Sequence, residues 1–323
     1  MKKIWFAAVL VSLFLVSCSK DEPDGQEEWL TNLEEAVSKA KTENKNIVLL
    51  VTAQEDGYSA DLMNDIFYRR SFVNRMTAGS VLVNFDFSKD IIQSAVDAGD
   101  DDLLSKIDRN MLDASLYGID MTPTVLILSK DGYFITQIFL TSHTNSPDEF
   151  NVLYEQALPQ IEAFTARTDL IASSAGTEKL AAIDALYEAT PEEYRPLLHN
   201  LCDEYVSADA ANSTGKCSKY LLSSCDYNGR YQLFQHNYEA AAQLYEKTAE
   251  NAFLTPLEKQ ETYYQSGFLL ASLGYTDYEK LKLIFKKSLD AAPDSGNAAT
   301  IKQMISIVEN QLKNTLSDLV KEN

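Results

Sequence analysis

Tyr117-Gly118-Ile119-Asp120-Met121-Thr122-Pro123-Thr124 leads straight into Val125-Leu126-Ile127-Leu128, and after Lys130-Asp131-Gly132 comes Tyr133-Phe134-Ile135-Thr136-Gln137-Ile138-Phe139. Two β-rich runs around an Asp-Gly turn predict a β-hairpin. Two further strands lie upstream. Ile47-Val48-Leu49-Leu50-Val51 is an unbroken apolar run, as a strand buried on both faces requires. Val81-Leu82-Val83-Asn84-Phe85-Asp86-Phe87 is the other. Trp29, Leu30, Leu33, Ala36, Val37 and Ala40 recur at helical spacing and predict a helix over 27–43, stopped by Asn44-Lys45-Asn46. Leu62, Met63, Ile66 and Phe67 share one side of a second helix, 59–70. A mostly helical acidic stretch then runs to Tyr117, and a helix from Pro147 to Thr165 closes the unit.

This order of elements resembles the thioredoxin-like superfamily over residues 28–166. Three pieces carry the resemblance. They are Trp29 and Glu34–Lys41 leading into Lys45–Leu50, Tyr117-Gly118 followed by Thr122-Pro123-Thr124, and the Asp131-Gly132 hairpin. The resemblance implies a cis peptide bond before Pro123. It also implies that the slot held by Cys-x-x-Cys in the family's oxidoreductases falls on Asp56-Gly57-Tyr58-Ser59. Neither end is Cys, and none occurs between Cys18 and Cys202. Disulfide exchange needs a thiolate nucleophile, so this slot cannot perform it. Asp56 and Ser59 are then read as oxygen acceptors at a helix start. The family's residue before the cis-proline presents backbone N–H and C=O groups to an extended peptide. Carried over to Thr122, this makes Asp56, Gly57, Tyr58, Ser59, Thr122 and Pro123 a candidate docking surface. A vestigial surface without a ligand is the alternative.

From 167 to 323 the chain shows helical spacing only. Leu180, Ile183, Leu186 and Tyr187 share a face, as do Tyr194, Leu197, Leu198, Leu201, Cys202 and Tyr205. Helices are expected over 237–247, 257–273 and 278–289. Tyr238/Ala241/Tyr245 align with Tyr278/Leu281/Phe285, and Tyr263 to Pro293 resembles a tetratricopeptide repeat with extra turn residues and Leu at position 281. Such repeats imply a concave face for peptides or proteins; a generic helical bundle is the other reading. The fold class expected is therefore an α/β thioredoxin-like domain followed by an all-α, tetratricopeptide-like domain.

Lys2 and Lys3 precede an apolar run, Ile4 to Val16, which is right for a signal segment and too short for a mature span. It ends in Leu15-Val16-Ser17-Cys18, which resembles a bacterial lipobox. The resemblance implies a signal peptide over 1–17, lipidation at Cys18, and a place in the cell envelope, at the outer membrane or cell surface. Residues 18–27 then read as a flexible tether. The formal charge of −20 argues against a nucleic-acid face.

Cys202, Cys217 and Cys225 remain after lipidation. A Cys217–Cys225 bridge and reduced, buried thiols are both open. No metal, cofactor or catalytic residue is expected. The three His are scattered, no P-loop occurs, and Asp100-Asp101-Asp102 reads as a solvated acidic loop rather than a Ca²⁺ site. The expected function is docking of a peptide or protein partner at the envelope. The rivals are a disulfide-handling protein using the C-terminal cysteines and a purely structural component.

Overall fold

Four strands form one sheet: β1 (Asn46–Thr52), β2 (Ser80–Asp86), β3 (Thr124–Leu128) and β4 (Phe134–Ile138), in the order β2-β1-β3-β4. The computed structural model that shows this describes residues 23–53, 57–141 and 143–322. β1 and β2 are parallel, while β3 runs antiparallel to both β1 and β4. Side chains alternate across each strand. Val48, Leu50, Val125 and Ile127 therefore enter one core, and Ile47, Leu49, Val51, Leu126 and Leu128 enter the other.

The first core is closed by α2 (Tyr58–Leu62), a π-helical turn (Met63–Phe67), α3 (Arg70–Met76) and α6 (Pro147–Ser173). Trp29, Phe67, Phe72 and Phe150 meet there, with Trp29 stacked on Phe72 at 6.1 Å and Phe150 edge-on to Phe72 at 5.1 Å. The second core lies under α1 (Leu33–Glu43) and α5 (Asp101–Leu116). Burial of each large apolar side chain in such cores stabilises by roughly 1.5–3 kcal/mol.

Several local expectations are corrected. The first helix starts at Leu33, where the Asn32 side chain accepts from Glu35 N at 2.9 Å. Trp29-Leu30 is instead extended, because Leu30 bridges to β2, donating to Leu82 O at 2.9 Å. The tether does not extend to residue 27: Gly25 N donates to Tyr68 O at 2.9 Å and Asp24 takes a 2.9 Å hydrogen bond from Arg70. The acidic run is no loop. Asp100 caps α5 by accepting from Leu103 N at 2.9 Å, and Asp101 and Asp102 lie in the first turn, where the helix dipole favours anions. α4 (Lys89–Ala98) precedes it.

The remainder of the described chain is helical: α7 (Gly176–Ala189), a 3₁₀ segment (Glu192–Leu198), α8 (His199–Ala208), α9 (Cys217–Phe234), α10 (Tyr238–Ala249), α11 (Pro256–Ser272), α12 (Tyr278–Ala291) and α13 (Ala298–Glu322). Short connections make successive helices neighbours. Two contacts repeat. A Cβ at Gly229 in α9 would come 2.7 Å from the Tyr245 ring of α10, and one at Gly267 in α11 would come 2.9 Å from Phe285 of α12. In both pairs the glycine lets an aromatic ring press against the backbone.

α6 runs on to Ser173, so Phe150 packs in the sheet core while Phe164 and Ile171 pack among the later helices. Tyr194 stacks on Phe134 of β4 at 3.6 Å. Tyr133 joins Cys202, Tyr205 and Tyr220 in the helical core.

Candidate functional site

The sheet register brings Gly57, Tyr58, Ser59, Thr122 and Pro123, five of the expected docking residues, to one end. Val51 pairs with Thr124, so the Thr122–Pro123 bond, which is cis, lies beside the chain leaving β1 at Thr52. Gly57 then starts α2 with φ 51°, a left-handed value that favours glycine. Tyr58 is 42% exposed, and its hydroxyl donates to Thr141 O at 3.1 Å, tying the start of α2 to the segment after β4. Thr122 and Pro123 are half-buried, and neighbouring Met121 is 68% exposed. Thr124 Oγ1 donates to Met121 O at 2.8 Å and closes the loop.

Ser59 differs from expectation. It is fully buried inside the first turn of α2, whose N-cap position is Gly57. Asp56 lies outside the described residues, as does Cys18. Of the residues expected to form a docking surface, Gly57, Tyr58, Thr122 and Pro123 lie at or near the surface, next to the exposed Met121.

The three remaining cysteines are all buried and free, which settles the open pairing of Cys217 with Cys225 against a bridge. Both lie on α9, eight residues apart. At a rise of 1.5 Å per residue that is about 12 Å, beyond the roughly 7 Å limit between bridged Cα atoms. Cys202 packs in the helical core. The Cys217 thiol donates to Asp209 O at 3.4 Å. Burial pushes Cys202 up to about 12, and Cys217 and Cys225 up to about 11. Such thiols are poor nucleophiles at neutral pH. Among the described residues no group of His, Cys, Asp and Glu is placed to hold a metal ion, and no helix is long and apolar enough to cross a membrane.

A second polar centre lies where the two halves meet, and no sequence motif marked it. Asp113 of α5 is only 5% exposed, and burial raises its pKa to about 6. Arg109 reaches it at 3.4 Å and stacks over Tyr231 of α9. A cavity of about 230 Å³ opens there, with His199 stacked on Tyr227 at 3.6 Å in its wall. A third polar group, Asn84 within the apolar β2 run and Asn110 within α5, is also buried. The only hint in the sequence was a polar residue inside each apolar pattern.

Residues 33–158 match the family model of a thioredoxin-like domain, and residues 217–314 match a model described as an uncharacterised protein C-terminal domain. The chain is 28% identical over 200 residues to a protein of Treponema pallidum (strain Nichols) that is itself named only as uncharacterized. That match covers 61% of this chain and 66% of the relative, just under two thirds of its length. The N-terminal half is thus a thioredoxin-like α/β domain, followed by an all-helical region.

Proposed function

We propose that the thioredoxin-like domain docks an extended peptide or protein segment at the Tyr58–Thr122–Pro123 end of its sheet and performs no thiol chemistry there. The observation that carries this reading is the Val51–Thr124 register, which sets the half-buried Thr122–Pro123 edge beside Gly57 and the exposed Tyr58. A backbone edge beside an aromatic side chain suits β-type pairing with one side-chain anchor. The domain class admits a disulfide-related role, but Gly57, Tyr58 and Ser59 offer no thiol, and the three later cysteines sit buried in the helical half. With a partner recovered by cross-linking from position 58, Tyr58→Ala weakens binding by about 1–2 kcal/mol. Wild-type affinity of that variant, with loss of binding on substitution in α11 or α12, assigns recognition to the helices instead.

The helical half is read as tetratricopeptide-like. The repeated contacts of Gly229 with Tyr245 and of Gly267 with Phe285 support this reading. The protein is further read as a lipoprotein of the bacterial envelope, anchored through Cys18, on the strength of the charged, apolar and Leu-Val-Ser-Cys sequence alone. Cys18→Ala is expected to leave the membrane fraction or to stall unprocessed. Unchanged detergent partitioning of the variant contradicts the anchor.

A further inference from the structure

The outer edge of β2, the segment around Trp29, and helices α4 and α5 enclose a second cavity of about 230 Å³. It lies at the carboxyl end of the two parallel strands, the end of an α/β sheet where crevices commonly take ligands. Trp29, Leu103 and Ile107 give it apolar walls. The Trp29 indole N–H is already used, donating to Phe67 O at 3.1 Å, so the ring serves the cavity as a flat surface.

Two buried amides also line it. Asn110 is 6% exposed; its Nδ2 donates to Thr31 O at 2.9 Å, and its Oδ1 is buried with no partner. Leaving such an acceptor unmatched costs about 1–3 kcal/mol. Asn84 is 7% exposed; its Oδ1 accepts from Thr52 Oγ1 at 3.1 Å, which leaves Nδ2 as the donor for the cavity. The walls also carry one carboxylate, Asp86, and one ammonium, Lys106, so they have no net formal charge. That balance disfavours an ionic ligand.

We propose that this cavity binds a neutral primary carboxamide carried on a small flat or aliphatic body. The ligand N–H donates to Asn110 Oδ1, its C=O accepts from Asn84 Nδ2, and its body lies against Trp29. The volume is below that of a typical drug-sized site and suits a single ring or one side chain. The carboxamide can belong to a free small molecule or to an Asn or Gln side chain, and the two are distinguished by probe.

Trp5 and Trp29 are the only tryptophans, so the full chain carrying Trp5→Phe reports on this cavity through Trp29 fluorescence alone. Benzamide is expected to give a saturable change, whereas methyl benzoate, with the same ring and carbonyl but no N–H, gives none. A Gly-Gln-Gly peptide tests the side-chain source; saturation by either amide probe supports the proposal. Asn110→Leu, close to isosteric, weakens amide binding by about tenfold or more. Should that variant fold poorly, Leu103→Phe narrows the cavity and has the same expected effect. Equal responses to benzamide and methyl benzoate, no saturation by either amide, or wild-type affinity in both variants overturns the proposal.

Discussion

Asp184→Ala is expected to destabilise the protein by about 2–3 kcal/mol at pH 7. Asp184 projects from α7 and accepts from Lys216 and Lys219 of the α9 region, each at 2.6 Å, and from the Tyr220 hydroxyl. Burial alone raises a carboxyl pKa, but the hydrogen bonds from Lys216, Lys219 and Tyr220 override it and hold Asp184 well below the usual carboxylate range. Its side chain is 19% exposed, so solvent screens the network only in part. Removal leaves Lys219 with Glu188 alone among its carboxylate partners and strands the hydroxyl of the fully buried Tyr220. The folded pKa is depressed below 3.8, so the stabilisation is complete above that value and is lost as pH falls further. The gap between wild type and variant, measured by urea unfolding, therefore closes at low pH. A difference under about 0.5 kcal/mol at pH 7 means that water screens the network fully.

Asp113→Asn has the opposite sign. The Asp113 carboxyl is raised from 3.8 to about 6 chiefly by burial, which the Arg109 contact does not offset. A folded pKa above the unfolded one means that the folded state favours the protonated form. The ionised form destabilises the fold by about 3 kcal/mol at pH 8, a cost that disappears below pH 3.8. Asparagine keeps the shape and removes the charge. The variant is expected to be more stable than wild type at pH 8, to lose most of that advantage between pH 6 and 4, and to match it near pH 3.5. Equal stability at pH 8 contradicts the burial argument. This charge sits where α5 meets α9, so the same titration follows the junction between the two halves.

The two predictions concern residues that the sequence did not mark, and the reason is physical. β1, β2 and the hairpin were legible because apolar runs and Asp131-Gly132 are local signals. The spacing of Trp29 and Leu30 favours a helix; pairing of Leu30 with β2 overrides that preference. Helices α9 and α13 carry no clear signal in the sequence. Buried Tyr220, Ser223, Ser224 and Gly229 give α9 a core face with little apolar periodicity. Thr122 and Pro123 are legible because they belong to a recognisable Thr-Pro-Thr sequence. Asp113 with Arg109, and Asn84 with Asn110, gain meaning only when elements distant in the chain converge. The choice between a Cys217–Cys225 bridge and reduced thiols is open in the sequence because the two cysteines are close there; one helix converts that closeness into separation.

The most direct test of docking at the sheet end is amide chemical-shift mapping of the full chain with a bound partner peptide. The account predicts the largest changes at Gly57, Tyr58, Ser59, Thr122 and Thr124, with α9, α11 and α13 little affected. Changes confined to those three helices, with residues 57–59 and 122–124 unmoved, contradict it.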